Sequence, residues 1–265
     1  MATIAIFDSG VGGLSIYQQI KLQLPNCKYV FVSDNEAYPY GTKTEDELRQ
    51  RVPEVVERII KQHSPDLLVI ACNSASTVVL TLLRDQYAIP IVGVVPAIKP
   101  ACKRSKTKHV ALLATPGTIE RSYTEQLIKN YASECKITKV GSSKLVGLAE
   151  QKLYGGKVDL NIIESEVSSI LNDYSIDTLV LACTHFPLLY KEIQSLFNVN
   201  NHEIELVDSG HGIAKRVVAL IEPEPHKDSK QQESVAVFTK TIDQYNGFIN
   251  TLKQFGLEYR GCLNS

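Results

Sequence analysis

Short, continuous apolar runs separated by helix-like segments are the feature that most limits how this chain can fold. The segments predicted as strands are 3–7, 28–33, 66–71, 91–94, 109–114, 136–140, 177–182 and 203–207, and several of them are such continuous runs. A strand that is apolar at successive positions must be covered on both faces, which is typical of parallel sheets with helices on each side. The alternation of such strands with helices therefore predicts a doubly wound α/β architecture.

Two of the intervening segments have clear helical patterns. Thr44 and Glu47 have the spacing of a capping box, and apolar residues recur at helical spacing after them. Pro53 lies inside this stretch and predicts a kink or a break. Residues 158–174 form the second amphipathic pattern, with apolar side chains on one side.

Two polar segments predict connections between these elements. Residues 96–108 contain proline and several lysines, and we expect a crossover between two parts of the chain. Residues 222–234 are poor in apolar side chains and predict a solvated loop. Residues 235–238 then predict one more strand, which is followed by a last helix.

Length, charge and composition exclude several functional classes. The 265 residues, 44% of them hydrophobic, suffice for one large domain or two small ones. Lys+Arg (28) nearly balance Asp+Glu (29) without a basic stripe, so we expect no nucleic-acid partner. The N-terminus lacks the pattern of a signal peptide, and no apolar run approaches the ~20 residues of a membrane span. We therefore expect a cytoplasmic protein with no membrane partner.

The cysteines of this chain do not form a disulfide or zinc framework. They stand at positions 27, 72, 102, 135, 183 and 262, and no two have the spacing of a CxxC pair. In a reducing compartment they are expected to be free thiols. Because cysteine is among the most buried residue types, packing in the core explains Cys27, Cys102, Cys135 and Cys262.

Cys72 and Cys183 differ from the other cysteines because they end two similar segments. Residues 65–73 (PDLLVIACN) and 176–184 (IDTLVLACT) agree at five of nine positions and share the Ala-Cys end. In open α/β sheets, ligands bind in the crevice beyond the carboxyl ends of the strands. Both thiols, with the hydrogen-bonding residue after each, are therefore candidates for a functional site.

The turn after the first strand, FDSGVGGL (7–14), is a third candidate. It has neither the GxGxxG nor the GK[ST] spacing, so a nucleotide-phosphate loop is not predicted. A turn at a helix N-terminus can leave amides free for an anion. We expect Asp8 and Ser9 to point into the crevice and the glycines to serve the turn.

Three further residues have side chains or amides suited to a ligand. Tyr40 and Gly41 lie in a turn by composition, and they can also offer a hydroxyl and an amide to a ligand carboxylate. His185 follows Cys183 by two residues, and the pKa range of histidine suits proton transfer. An isolated histidine is more often structural, and only its position beside the thiol favours function.

A pair of thiols fits two-base proton transfer better than other thiol chemistry. A Cys-His hydrolase needs one nucleophile, and a disulfide oxidoreductase needs close thiols in a recognisable motif. Inversion at carbon needs removal of a proton from one face and delivery of one to the other. A thiol pKa near ~8.5 can be tuned so that one cysteine is thiolate while the other is thiol. A non-catalytic amino-acid-binding module is the alternative outside enzymes.

Nearly the whole chain resembles the glutamate racemases of the aspartate/glutamate racemase superfamily. The resemblance is carried by IAIFDSGVGGLS (4–15), PYGTK (39–43), VIACNSAST (69–77), GVVPA (93–97), LATPGTI (113–119), LACTHFPLL (181–189) and LVDSG (206–210). It implies an isomerase that interconverts L- and D-glutamate and supplies D-glutamate for peptidoglycan biosynthesis, and hence for cell wall biogenesis and cell shape. A racemase for aspartate or another amino acid is the alternative within enzymes.

The resemblance also implies a role for each candidate residue. Cys72 and Cys183 would be the catalytic thiols, assisted by Asp8 and His185. The implied substrate contacts are Asp8, Ser9, Tyr40, Gly41, Asn73, Ser74, Thr184 and His185. Positions near the site that also match are Thr115, Thr118 and Glu150. The family usually has threonine at Ser74, so we expect a lost methyl contact there and a retained hydroxyl.

The architecture implied by the resemblance is two α/β lobes with mainly parallel sheets and the active site in the cleft between them. Residues 1–97 and 207–265 would form the lobe of Cys72, and residues 98–206 the lobe of Cys183. The implied enzyme has no cofactor and no metal, takes a small-molecule substrate and forms a homodimer. We expect no N-terminal extension of the kind that some members use for activation by a cell-wall precursor.

Overall fold

The computed structural model describes residues 2–221, 233–242 and 246–263, and most of the predicted loop at 222–234 lies outside them. The strands are β1 (Thr3–Asp8), β2 (Lys28–Ser33), β3 (Leu67–Ile70), β4 (Ile91–Gly93), β5 (His109–Ala114), β6 (Lys136–Gly141), β7 (Thr178–Leu181), β8 (Glu205–Val207), β9 (Val235–Phe238) and β10 (Glu258–Cys262). The α-helices are α1 (Leu14–Gln23), α2 (Glu45–His63), α3 (Asn73–Gln86), α4 (Ile98–Arg104), α5 (Pro116–Glu120), α6 (Ser122–Tyr131), α7 (Lys144–Leu153), α8 (Leu160–Leu171), α9 (Tyr190–Val199), α10 (Gly210–Val218) and α11 (Asn246–Gln254). Two short 3₁₀ helices span Tyr40–Thr42 and Phe186–Leu189.

The strands form two separate parallel sheets. The first has the order β10-β9-β2-β1-β3-β4 and the second the order β6-β5-β7-β8. The order β2-β1-β3-β4 therefore recurs as β6-β5-β7-β8, which extends the similarity of residues 65–73 and 176–184 from sequence to topology. The predicted α/β class with mainly parallel sheets is confirmed. Below, β1–β4 with α1–α3 are called the first half, and β5–β8 with α4–α9 the second half.

Each sheet has an apolar core on both of its faces. Along β1, Ile4 and Ile6 lie in one buried cluster, whereas Ala5 and Phe7 lie in the cluster on the opposite face. The second sheet is likewise enclosed by two clusters. Burial on both sides is the reason that these strands are continuous apolar runs in the sequence.

The strand that the sequence did not reveal is β10. It lies at the edge of the first sheet, where it pairs in parallel with β9. Its residues are half-buried or exposed, and its sequence, EYRGC, contains two charged residues and a glycine. A short edge strand without an apolar run gives no periodic signal, and it is found only through its pairing with β9.

Helix α2 begins with the predicted capping box. The Thr44 hydroxyl accepts a hydrogen bond from the Glu47 amide at 3.3 Å, and the Glu47 carboxylate accepts one from the Thr44 amide at 2.7 Å. The helix runs without interruption through Pro53, so the expected break is wrong, whereas the alternative of a kink stays a prediction. Buried residues on both sides of the proline, Leu48, Val52, Val55, Val56 and Ile59, hold the helix against the core and outweigh the lost backbone bond.

We expect Thr44→Ala to lower the free energy of unfolding by about 1 kcal/mol, because the helix loses its N-cap hydrogen bonds. Urea denaturation of the two proteins measures this difference. Ser165→Ala is the control, because it removes an exposed hydroxyl inside α8 that bonds only within the helix. Its effect should lie within about 0.5 kcal/mol. Equal effects of the two substitutions would contradict the capping role.

The division into lobes at residues 97/98 and 206/207 stays a prediction. The first sheet uses strands from residues 3–93 and 235–262, and the second uses strands from 109–207, so β8 ends one residue beyond the predicted boundary. Helix α10 follows this boundary and packs in the same core as α1. Among the described residues, no helix is long and apolar enough to cross a membrane.

Candidate active site

Residues beyond the carboxyl ends of strands from both sheets enclose one cavity of about 100 Å³. The first half contributes Asp8, Ser9, Tyr38, Pro39, Tyr40, Gly41, Thr42, Cys72, Asn73 and Ser74. The second half contributes Thr115, Ser143, Val146, Gly147, Cys183, Thr184 and His185. Every predicted catalytic and substrate-binding residue therefore lies in the wall of this cavity. Of the further positions predicted near the site, Thr115 lies in the wall, and Thr118 and Glu150 do not. Ser143, Val146 and Gly147 belong to the start of α7, and no motif in the sequence pointed to them.

Cys72 and Cys183 occupy equivalent places in the two halves. Each thiol follows its strand by two residues, Cys72 after β3 and Cys183 after β7, and each is 6% exposed. Cys72 is also the residue before the first turn of α3. Because both strands end at the same cavity, the two thiols reach one ligand-sized space from different sheets.

Asp8 is the acidic neighbour of Cys72. Burial and the negative charge of Asp8 raise the pKa of the Cys72 thiol well above its ordinary value. Burial also raises the pKa of Asp8, although the charge of His185 and backbone N–H donors oppose this effect. A carboxyl and a thiol that both hold protons more strongly than usual can exchange a proton between them.

His185 and Glu150 form a charged pair beside Cys183. Nδ1 of His185 lies 3.7 Å from Sγ of Cys183, and its Nε2 lies 2.7 Å from Oε1 of Glu150. Burial alone would lower the pKa of His185, but the hydrogen bonds and charges of these two neighbours raise it well above its ordinary value. Burial likewise opposes ionisation of Glu150, whose pKa is nevertheless lowered by His185 and by the Val11 amide. An imidazolium beside a sulfur atom favours the thiolate.

The glycine-rich turn after β1 allows the two halves to approach each other closely. A Cβ atom on Gly12 would lie 2.4 Å from Nδ1 of His185, so only glycine allows the imidazole to approach. The prediction that this turn leaves its amides free for an anion is wrong for three of them. The amides of Ser9 and Gly13 donate to Asp8 at 2.7 and 2.5 Å, and the Val11 amide donates to Glu150 at 2.9 Å. Buried carboxylates need such donors, and they take them before any ligand binds.

Asn73 presents an unsatisfied donor to the cavity. Its Nδ2 atom is buried and has no hydrogen-bond partner within the described part of the chain. A buried donor without an acceptor costs about 1–3 kcal/mol, which a ligand oxygen would recover. The neighbouring Ser74 hydroxyl lies 3.1 Å from that of Thr115 and 3.2 Å from that of Thr118. Hydroxyl groups from both halves thus meet at this end of the cavity.

Two other predicted contacts have partners inside the protein. Tyr40 lines the cavity, but its hydroxyl donates to the buried carboxylate of Asp34 at 2.5 Å, so it is not free for a ligand. Arg51 donates to the same carboxylate, a network that the sequence did not suggest. The Thr184 hydroxyl donates to Asp8 at 3.1 Å across the two halves. Gly41, the other residue predicted from this turn, also lines the cavity.

Several known proteins are similar to this chain in sequence. The family model described as Asp/Glu/hydantoin racemase matches residues 9–217. The chain is 47% identical to a glutamate racemase of Histophilus somni, over 91% of this chain and 89% of that protein. It is 43% identical to a glutamate racemase of Pasteurella multocida, over 99% and 96% of the two chains. The chain belongs to the Asp/Glu/hydantoin racemase family.

Within this racemase family, a solved structure matches the complete fold. It is Escherichia coli glutamate racemase in complex with L-glutamate and the activator UDP-MurNAc-Ala. The TM-score is 0.91 at 40% identity, and the match covers 98% of this chain and 97% of that chain. The resemblance to the glutamate racemases that the sequence motifs indicated is confirmed.

Proposed function

We propose that this chain racemises glutamate at Cα, without a cofactor, by transferring protons through two cysteines. The observation that carries the proposal is the pair of thiols at equivalent strand ends, which reach one cavity from different halves. Each thiol has its own ionisable neighbour, Asp8 for Cys72 and His185 for Cys183. In a mechanism with a single nucleophile, the second thiol and its neighbour would have no role.

The proposed reaction conserves protons and electrons within one turnover. The thiolate of one cysteine takes the Cα proton and becomes a thiol, while the C–H electron pair stays on the substrate as a carbanion. The thiol of the other cysteine then gives its proton to the opposite face of Cα and becomes a thiolate. The two cysteines end with exchanged protonation states, and Asp8 and His185 are placed to return them to the starting state.

Binding of the substrate is assigned to small polar groups at the ends of the cavity. The Asn73 amide, the hydroxyls of Ser9 and Ser74, and the backbone at Gly41 would contact the substrate in this cavity. The Thr184 hydroxyl donates to Asp8, so it would contact the substrate as an acceptor. Donors fixed by the fold can stabilise the negative charge that develops on the substrate α-carboxylate as the proton leaves.

Asn73→Ala is expected to raise KM for glutamate by about tenfold or more, because a hydrogen bond to a charged group contributes roughly 1.5–3 kcal/mol. The same change should leave thermal stability unchanged or slightly higher, since it deletes a buried donor that has no partner in the described structure. Asn73→Asp is the matched control for shape. It replaces the donor with an acceptor and should weaken binding further. A normal KM in Asn73→Ala would remove Asn73 from the binding site.

The test of the proposed function is incubation of each glutamate enantiomer with the protein in deuterated water. Circular dichroism follows the loss of optical activity, and mass spectrometry follows α-deuterium. We expect both signals with either enantiomer of glutamate, and a much slower reaction with aspartate. Faster turnover of aspartate would support the alternative racemase. Binding heat with neither inversion nor exchange would support an amino-acid-binding module and contradict the proposal.

We also propose the location, oligomeric state, biological role and lobe boundaries that the sequence predicted for this enzyme. It would act in the cytoplasm as a homodimer and supply D-glutamate for peptidoglycan, with lobes divided at residues 97/98 and 206/207. The names of the relatives, which are bacterial glutamate racemases, support the reaction in this setting. Sedimentation equilibrium tests the dimer, and rescue of a bacterial D-glutamate auxotroph tests the supply.

A further inference from the structure

Arg121, between α5 and α6, is a buried cation outside the cavity wall. It is 5% exposed, and burial lowers the pKa of its guanidinium. Its hydrogen-bond partners are neutral oxygens, and among the described residues no carboxylate lies within ion-pair distance. A buried charge without a counter-ion is costly, so its position calls for a function.

The three partners of Arg121 all belong to the first half, whereas Arg121 belongs to the second. Nη1 donates to the Ser74 carbonyl at 2.5 Å and to the Thr77 hydroxyl at 3.1 Å, both in the first turns of α3. Nη2 donates to the Lys43 carbonyl at 3.3 Å, directly after the 3₁₀ helix Tyr40–Thr42. One planar guanidinium thus binds two segments of the first half, the start of α3 and the end of the 3₁₀ helix. Both segments are continuous with residues of the cavity wall.

We propose that Arg121 is a positioning residue for the Cys72 side of the site, holding the start of α3 and the end of Tyr40–Thr42 against the second half while placing a positive charge behind them. The proposal rests on the function proposed above. The start of α3 carries Asn73 and Ser74, so its position decides where their side chains meet the substrate. The fork geometry of arginine is needed to reach two segments at once, which lysine cannot do.

Few other ionisable groups act on Cys72 and Arg121. Asp8 and Cys183 lie near Cys72 and oppose its ionisation, while His185 lies beyond them on the second half. Glu45, at the start of α2, acts on Arg121 at longer range, and so does Cys72. The guanidinium therefore favours the thiolate of Cys72 and should have little effect on Cys183.

The test compares Arg121→Met and Arg121→Lys with the wild-type protein. Arg121→Met should raise KM for glutamate by about tenfold, because the donors at the start of α3 are no longer held. It should also slow iodoacetamide alkylation of Cys72 by a factor of about 3–10 at fixed pH, a pKa rise of about 0.5–1. Peptide mass spectrometry reads Cys183 in the same sample, and its rate should not change. Arg121→Lys should restore the alkylation rate of Cys72 but not KM.

Arg84→Met is the control, because Arg84 lies at the other end of α3 and donates to the Ile91 carbonyl outside the cavity wall. It should leave KM and both alkylation rates unchanged. A normal KM and Cys72 rate in Arg121→Met, or equal slowing of both thiols, would overturn the proposal. If Arg121→Met does not fold, a normal KM in Arg121→Lys overturns it. If the protein does not racemise glutamate, the alkylation rates and the calorimetric Kd of L-glutamate still decide the role of Arg121.

Discussion

Cys72→Ser and Cys183→Ser are each expected to lower the rate of racemisation by about 10³-fold or more in both directions. A serine hydroxyl holds its proton too strongly to act as base near neutral pH, and a general acid–base group contributes roughly 10²–10⁴-fold. Inversion needs both groups, so the loss of either thiol should stop it. Circular dichroism of each enantiomer measures the rate.

The control for these variants is Cys135→Ser, which changes a half-buried thiol that lies outside the cavity wall. It should racemise glutamate at the wild-type rate. Deuterated water adds a second observation, because the remaining thiol of each active-site variant can exchange the Cα proton of one enantiomer without inverting it. The enantiomer that exchanges should differ between the two variants. Normal racemisation by either one would exclude the two-cysteine mechanism.

Glu150→Gln is expected to slow racemisation by about 10²-fold between pH 7 and 8, since it removes the charge that keeps His185 protonated. Without that charge, only Cys183 opposes the effect of burial, so the pKa of His185 falls and the imidazole loses its proton at a lower pH. In the pH profile of kcat/KM, the fall at high pH should therefore begin at a lower pH than in the wild type. Stopped assays across the pH range measure the shift.

The pair of His185 and Glu150 should also make the free energy of unfolding depend on pH. The raised pKa of His185 stabilises the fold fully below the ordinary histidine value of about 6.5, and this contribution is lost as pH rises through the raised value. The lowered pKa of Glu150 stabilises the fold above about 4.3, and this contribution is lost as pH falls through the lowered value. The stability difference between wild type and Glu150→Gln should therefore be largest between these two ordinary values.

A matched control for the pair is Glu192→Gln, which neutralises a carboxylate that binds Lys152 at 2.7 Å outside the cavity wall. It should leave the pH profile of racemisation unchanged. An unshifted profile in Glu150→Gln would show that His185 does not depend on Glu150 for its charge.

The sequence predicts this fold well because its signals are local. Ile4 to Phe7 are all apolar since β1 faces a core on each side, and the same reason applies to the other inner strands. The capping box at Thr44 is equally local. Continuation of α2 through Pro53 depends on packing against distant strands, and β10 depends on its neighbour β9, so neither can be deduced from neighbouring residues.

The residues predicted for the site line one cavity, and their prediction also depended on local signals. Cys72 and Cys183 follow from repeated strand ends, and His185 follows from its place beside Cys183. The engagement of the Tyr40 hydroxyl by Asp34 was missed, because it depends on how buried groups satisfy one another in three dimensions. The contact of Gly12 with His185 was missed because the two residues belong to different halves.

The two thiols of this site have unequal neighbours, a carboxyl group on one side and a hydrogen-bonded imidazole on the other. L- and D-glutamate have the same free energy in water, so the equilibrium constant of their interconversion is unity. In the proposed reaction kcat/KM must then be identical in the two directions at every pH, whatever surrounds each sulfur atom. The asymmetry can appear only as paired changes in kcat and KM. The enantiomer with the lower KM is therefore the one that the enzyme converts more slowly at saturation.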